Sequence, residues 1–519
     1  MHVPSWPSTL SAPVAKPPPT NPPLPRKLRE NIEAAAMAIL MAVGLKYFLL
    51  EAYEIPTPSM QTTLMGSPDL GIYDRILVNK AAYLWRDPQR FDIAVFRYPH
   101  NRSQNYVKRI LGLPGERLKI AGGDLYRVSP PGKLPAYEIV RKPLSLQGSL
   151  WKRVYEQSTA NAASAFKIRS ANGKWSVDGD VVVARDSTGR GASTVFLRAD
   201  ELRNHAWHGY PEYLQEKVKD LQRAGLGSGR AMVGDIRWRT AATPDDKTEA
   251  IELLLTERPE GGSARELSLR IEKRGDAATA RLRARELRPN AQKVEVRSEN
   301  IEWTAGGELA LEFINSDDRL FARVGGTSLG PLAYTSMPRH LAQGGVQLRL
   351  TAEGGTTRFA ETTVDRDMCY LPWDEDPDFV FEVPADHLWM LGDNPEQSDD
   401  GRSWALAKIW VDADNRIVAP NKGKLLVGNA RWMFKNQPES LDRDENPVVV
   451  PKRNRIVLSD LQGEEHVLIG SPEDVRKWMR DEERGDSVRF VPGKYMMGRA
   501  FATFWPANPF AWFRIGLIR

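Results

Sequence analysis

The sequence predicts a mainly β protein: a β-rich unit behind one N-terminal transmembrane helix, interrupted by an inserted antiparallel β-sandwich of lectin or jelly-roll type. Three observations predict it. An apolar run, "AAAMAILMAVGLKYFLL", occupies Ala34 to Leu50. Strand-length apolar or alternating stretches then dominate 51–128, as in "RILVNKAAYLW", "FDIAVFRYP" and "NYVKRILGL". Period-two alternation resumes in "ELSLRIEK", "ATARLRAR" and "ELALEFI", with turn residues between, at the spacing of sandwich strands.

Residues 1–30 are rich in proline, which disfavours helix and sheet and suggests an extended cytoplasmic tail. Arg26, Lys27 and Arg29 precede the apolar run, whereas Glu51 and Glu54 follow it. That asymmetry orients a span at 31–50 with its N-terminus in the cytoplasm. The run is short against the ~20 residues of a typical span and contains Lys46, which would have to snorkel outward. A cleaved signal peptide and a buried core helix are the competing readings; no small-x-small site follows the run.

The remaining boundaries come from pattern. A first β-rich half spans 51–128, the sandwich-like insertion 129–375, a second β-rich half 376–435, a charged second insertion 436–490, and a closing strand with an apolar tail 491–519. Within the first insertion, "PEYLQEKVKDLQRAG" places Tyr213, Leu214, Val218 and Leu221 at helical spacing. In the second, Ser471 and Asp474 suit a capping box. "LLVGNARWMF" and "YMMGRAFATF" are similar, and the latter is the better candidate to complete the first sheet.

Composition excludes several classes. The net charge of +5 over 519 residues is mild and the basic residues are scattered among acidic ones, so a nucleic-acid partner is not implied. One cysteine, Cys369, rules out an internal disulfide and a multi-cysteine metal site. "HAWH" lacks a third ligand, "DADNRI" puts Arg416 where a calcium loop needs glycine, and "GLGSG" lacks the lysine of a phosphate loop. No cofactor or metal is expected.

Directly after the apolar run stands "YEIPTPSMQTTL", with Ser59 between proline and methionine. A serine hydroxyl is a weak nucleophile without a base beside it. None of the seven histidines lies in a triad signature, and no GxSxG elbow occurs. Lysine is the remaining candidate. In "NYVKRILGLPGE", Lys108 shares a strand face with Tyr106 and Ile110, and apolar surroundings would favour its neutral, basic form. By pattern alone a strand lysine is ordinarily a solvated surface residue.

The stretches "PTPSMQTTL", "YDRILVNKAAY", "FDIAVFRYP", "YVKRILGLPGE" and "MLGDNPEQSDDGRSW" occur in an order that resembles the motif boxes of bacterial type I signal peptidases, the Ser/Lys membrane proteases. The resemblance covers Glu54 to Glu116 and Phe381 to Trp404, leaving both insertions unexplained. It implies a signal-peptidase-type β-rich catalytic domain with Ser59 as nucleophile and Lys108 as general base. Thr57 and the Ser59 backbone N–H would form the oxyanion hole. Ser398 would hydrogen-bond and orient the lysine, Asp400 and Arg402 would brace its loop, and Gly392, Asp393 and Asn394 belong to the same signature. Tyr53, Ile55, Tyr106 and Val107 would bind substrate, with two shallow pockets selecting a small-x-small, commonly Ala-x-Ala, cleavage site. Pro58 stands where many members have glycine and Gly401 where many have serine.

The implied function is removal of signal peptides from secretory pre-proteins by an enzyme anchored in the cytoplasmic membrane, its catalytic domain outside the cytoplasm. Partners are then the pre-proteins and the lipid bilayer. Two rivals are a self-cleaving regulator using the same dyad and a noncatalytic envelope protein whose insertion binds glycan or protein.

Overall fold

The computed structural model describes residues 26–519 apart from 69, 134, 168–173, 187–188, 198, 224–228, 276, 288–293, 335–336, 373–377, 405, 433–454, 471–488, 506–513 and 519. Most of the proline-rich tail, the capping box at Ser471 and most of the C-terminal aromatic tail lie outside the described residues. The chain divides into two units, Met1–Glu51 and Ala52–Arg519.

In the first unit, Arg26–Gly44 is α-helical and Leu45–Leu49 continues as a wider π turn. Met37, Ile39, Leu40, Met41 and Phe48 are exposed. Among the described residues no helix is long and apolar enough to cross a membrane. The membrane span expected at 31–50 is therefore not shown by this helix. The first two turns are the charged "RKLRENIE", and the α-helix ends at Gly44 before the apolar run does.

The second unit is built from antiparallel sheets. The sheet that carries Ser59's neighbours and Lys108 runs in the order Leu50–Glu54, Arg75–Asn79, Met496–Trp505, Ile93–Arg97, Asn105–Gly112, His387–Leu391, Val491–Pro492. Strands about 400 residues apart in sequence are therefore hydrogen-bonded neighbours. Met496–Trp505 joins Arg75–Asn79 on one side and Ile93–Arg97 on the other, so "YMMGRAFATF" completes this sheet. Ile55, Met60, Leu64, Val78 and Val95 pack one of its cores, and Phe96, Tyr98, Ile110, Met390 and Trp404 another. A smaller sheet joins Phe381–Glu382, Arg117–Ala121, Asp124–Val128 and Tyr137–Ile139.

The tract 129–375 supplies every strand of two further sheets, of eight and seven strands. In Arg265–Arg274, Leu267, Leu269 and Ile271 are fully buried while Arg270 and Glu272 alternate with them on the solvated side. Inward residues of both sheets form one apolar cluster: Phe196 of the seven-stranded sheet stacks on Trp238 of the eight-stranded one at 5.5 Å. The expected helix is present as Glu212–Arg223, with Leu214 and Val218 buried against Met65. Tyr213, expected on the same face, is exposed.

Ala407–Val411 and Lys424–Trp432, assigned from sequence to the second β-rich half, pair instead with each other and with Arg455–Asp460 and Glu465–Ile469. This four-stranded sheet has its own core of Ile409, Leu426, Leu458 and Leu468. The second insertion thus begins near residue 407, because the strands of "AKIWV" and "LLVGNARW" join this sheet and leave the edges of the Lys108 sheet to other segments.

Candidate active site

Ser59 sits in a single 3-10 turn, Pro58–Met60, where proline at the first helical position fixes φ without losing a needed N–H. Met60 and Leu64 are fully buried beneath it, which ties the turn to the sheet. Lys108 projects from the strand Asn105–Gly112 and is 3% exposed, as is Ser59. Its Nζ donates to Ser59 Oγ at 2.6 Å, although 49 residues separate them. Tyr106, two residues before on the same face, places its ring centroid 5.5 Å from that Nζ and stacks on Tyr98 at 4.3 Å. The Thr57 and Ser59 hydroxyl oxygens are 3.3 Å apart.

The second wall is the loop after His387–Leu391. Asn394 N–H donates to the Ser59 carbonyl at 3.0 Å, and its side-chain amide donates to the Pro58 carbonyl at 3.1 Å. A Cβ on Gly392 would collide with Ser398 Oγ and the Ser59 carbonyl oxygen, so only glycine lets the two backbones approach this closely. Asp400 accepts from Gly392 N–H at 3.0 Å and from Arg402 through two bonds of 2.9 Å. Burial alone would raise the Asp400 carboxyl, but Arg402, the Gly392 N–H and the positive charge of Lys108 hold it below its ordinary range.

Asp393 points away from the dyad, into a bidentate pair with Arg109. Arg109 was not singled out from sequence; as the next residue on a strand it faces opposite to Lys108, and a basic residue there reads as surface. The Asp393 carboxyl is likewise held low by Arg109 against the effect of burial.

Ser398 departs from expectation. Its Oγ is buried without a hydrogen-bond partner among the described residues, and it lies against Gly392. The lysine Nζ is turned to Ser59 Oγ, so the expected serine–lysine bond is absent.

Ile55 is 2% exposed and packs with Met60 and Val78, while Tyr53 and Val107 are partly buried against that cluster. Within Asn105–Gly112, residues 105–109 pair with Ile93–Arg97, whereas His387–Leu391 covers only Arg109, Ile110 and Gly112 on the other side. Tyr106 to Lys108 therefore have strand pairing on one edge only among the described residues. A cavity of about 320 Å³ lies instead on the sheet of Ala407–Val411 and Lys424–Trp432, lined by Val411, Asp412, Lys424 and His466.

The two histidines of "HAWH" serve as acceptors: His208 Nδ1 from Arg366 at 2.9 Å and His205 Nδ1 from the Gly229 N–H at 3.1 Å. The "DADNRI" segment is a turn in which Asp412 Oδ1 accepts from the N–H groups of Asp414 and Arg416. Cys369 is buried, and burial pushes its thiol up to about 12, the range of an inert side chain.

Residues 28–190 match the family model described as signal peptidase, peptidase S26. A signal peptidase I of Leptolyngbya laminosa is 34% identical over 122 residues, which are 22% of this chain and 57% of that protein. A signal peptidase I of Pseudomonas aeruginosa is 34% identical over 136 residues, 24% of this chain and 44% of its own length. The chain thus spans about half the length of the curated relatives it matches. Among solved structures, a Bacillus subtilis protein with a galectin-like fold covers 41% of this chain and 96% of its own at 10% identity, with a TM-score of 0.27, too low to bear on fold or function. Through the segment that holds Ser59 and Lys108, this chain is similar to the bacterial proteins named signal peptidase I and to the peptidase S26 family model.

Proposed function

We propose that this protein is a membrane-associated serine endopeptidase that removes signal peptides from secretory pre-proteins, with Ser59 as nucleophile and Lys108 as general base. The observation that carries the reading is the 2.6 Å approach of Lys108 Nζ to Ser59 Oγ, both buried. As a neutral amine Lys108 takes the hydroxyl proton while Ser59 attacks the scissile carbonyl. The C–N bond then breaks, the proton passes to the leaving amine, and an acyl-enzyme remains. Lys108 next deprotonates a water whose oxygen attacks the ester, and Ser59 leaves with a proton.

The oxyanion is held by the Thr57 hydroxyl and the Ser59 N–H, each donor of this kind contributing about 3 to 4 kcal/mol to the transition state. Asn394 and Gly392 keep the Ser59 turn in place, and the Asp400–Arg402 pair braces their loop. An extended substrate adds along the strand at Tyr106 and Val107, where main-chain bonds provide affinity. Tyr53, Ile55 and Val107 shape the small pockets that select a small-x-small site. The exposed apolar side chains of the N-terminal helix, preceded by basic residues, support insertion into the cytoplasmic membrane with the catalytic unit on the outer side. The two large sheets of 129–375 are read as an inserted β-sandwich.

The test is cleavage of a secretory pre-protein by the full chain in detergent. Wild type cleaves after the small-x-small site and Ser59→Ala does not; cleavage by the variant at the wild-type rate rejects the nucleophile.

A further inference from the structure

The long middle tract is not confined to its own two sheets. Lys152, on the strand Lys152–Glu156, is 6% exposed, and its Nζ donates to the Gln61 carbonyl at 3.0 Å and to the Asp393 carbonyl at 3.2 Å. Gln61 lies two residues beyond Ser59. Asp393 immediately precedes Asn394, whose N–H holds the Ser59 carbonyl. One ammonium from the insertion therefore ties together the two loops that form the site.

Other contacts from the same tract converge there. Tyr210 donates its hydroxyl to Gln61 Oε1 at 2.7 Å, and Asn204 and the Arg230 side chain donate to Glu396 at 3.0 and 2.9 Å. Leu214 and Val218 pack on Met65, six residues past the nucleophile.

A buried lysine is an expensive way to fill space. Directly opposite it in the strand pair stands Arg366, whose donors go to His208 Nδ1 and to the carbonyls of His205 and Asp367. Burial first, and then the facing Arg366, push the Lys152 amine down to about 7. A methionine of similar length would avoid both penalties. What it could not do is donate to two carbonyls at once.

We propose that the insertion builds the back wall of the active site and that Lys152 is its positioning residue, fixing the Ser59 loop against the Gly392–Asn394 loop. This rests on the peptidase reading above, but its structural half can be measured independently of cleavage.

The experiment compares wild type, Lys152→Met and Tyr210→Phe as full chains in detergent, by pre-protein cleavage kinetics and by amide hydrogen exchange. For Lys152→Met, kcat falls about 10- to 100-fold, the scale of misplacing a catalytic group by a fraction of an ångström to one ångström, while KM stays within about twofold. Exchange rises at least about tenfold in the segments around Gln61 and Asn394 and is unchanged in the strands Ala250–Pro259 and Arg265–Arg274. An unchanged kcat with unchanged exchange in those two loops overturns the proposal, as does a loss confined to KM. If Lys152→Met also loosens the Ala250–Arg274 strands, Tyr210→Phe decides, since it removes one hydroxyl only: a kcat loss of about threefold or more at constant KM supports the back wall, and wild-type kcat rejects it. Should wild type cleave no pre-protein, the peptidase reading fails, and loop exchange in Lys152→Met alone judges the brace.

Discussion

Arg109 and Asp393 meet in a two-pronged ion pair, Nε to Oδ1 at 2.8 Å and Nη2 to Oδ2 at 2.6 Å, with both side chains wholly buried. Each is the chain neighbour of a residue at the dyad: Arg109 follows Lys108, and Asp393 stands between Gly392 and Asn394. Arg109 Nη1 also donates to the Phe91 carbonyl at 2.8 Å. The pair thus sets the lysine strand and the glycine loop in register from behind.

Removing one partner strands a buried charge. Arg109→Met is expected to cost about 3 to 5 kcal/mol, the range for breaking such a pair from one side. Chemical denaturation reads it as a shift of midpoint at constant slope. A midpoint within error of wild type would show that the pair contributes nothing net.

Stability should fall in acid through the same region. The Asp393 and Asp400 carboxyls are both held below their usual 3.8 by Arg109 and Arg402. A depressed carboxyl stabilises the fold above its unfolded value and loses that contribution as pH drops through its folded one. The melting temperature should therefore be level above about pH 5 and fall below about pH 4. Asp400→Asn should start lower and fall less steeply; parallel curves would exclude Asp400 as a source of the acid transition.

Gly392→Ala places a methyl where Ser398 Oγ and the Ser59 carbonyl oxygen already stand. The turn that carries Ser59 must shift, and cleavage is expected to drop about 100-fold. Because Ser398 Oγ has no hydrogen-bond partner among the described residues, Gly392→Ala combined with Ser398→Gly should recover part of the loss. No recovery would locate the clash at the Ser59 carbonyl alone.

Lys108→Arg keeps the charge and forfeits the base, since guanidinium does not deprotonate in this range. Pre-protein cleavage should become undetectable, whereas the alternative of a purely electrostatic lysine predicts retained turnover. Thr57→Val should lower kcat by about 10² to 10³, with Thr57→Ser close to wild type. A Thr57→Val enzyme at full rate would remove that hydroxyl from the oxyanion hole.

The local half of this structure was legible in the chain. "NYVKRIL" specifies a strand bearing Lys108, and the proline-flanked "PTPSMQ" marks Ser59, because period-two patterning and motif chemistry act over a few residues. Strand alternation likewise marked the β-rich insertion, and helical spacing its helix at Glu212–Arg223. What the chain concealed was pairing across distance. That "AKIWV" and "LLVGNARW" belong to a separate sheet depends on which edges find partners, and no residue in them announces it. Arg109 and Lys152 read as solvated surface because a basic residue on a strand carries no sign of burial.

By itself, then, the sequence singled out Ser59, Lys108 and the Gly392–Asn394 stretch through the order of motifs that resemble signal peptidases, and the β-rich units through period-two patterning, since motif order and alternation are written along the chain. Only the tertiary structure decided that Ser59, Lys108 and the Gly392 loop converge, that Ser398 Oγ lies against Gly392 without a hydrogen-bond partner among the described residues, and that Lys152 of the insertion reaches the Gln61 and Asp393 carbonyls. Contacts between residues 49 to 284 positions apart are set by the packing of whole sheets, and local propensity holds no information about them.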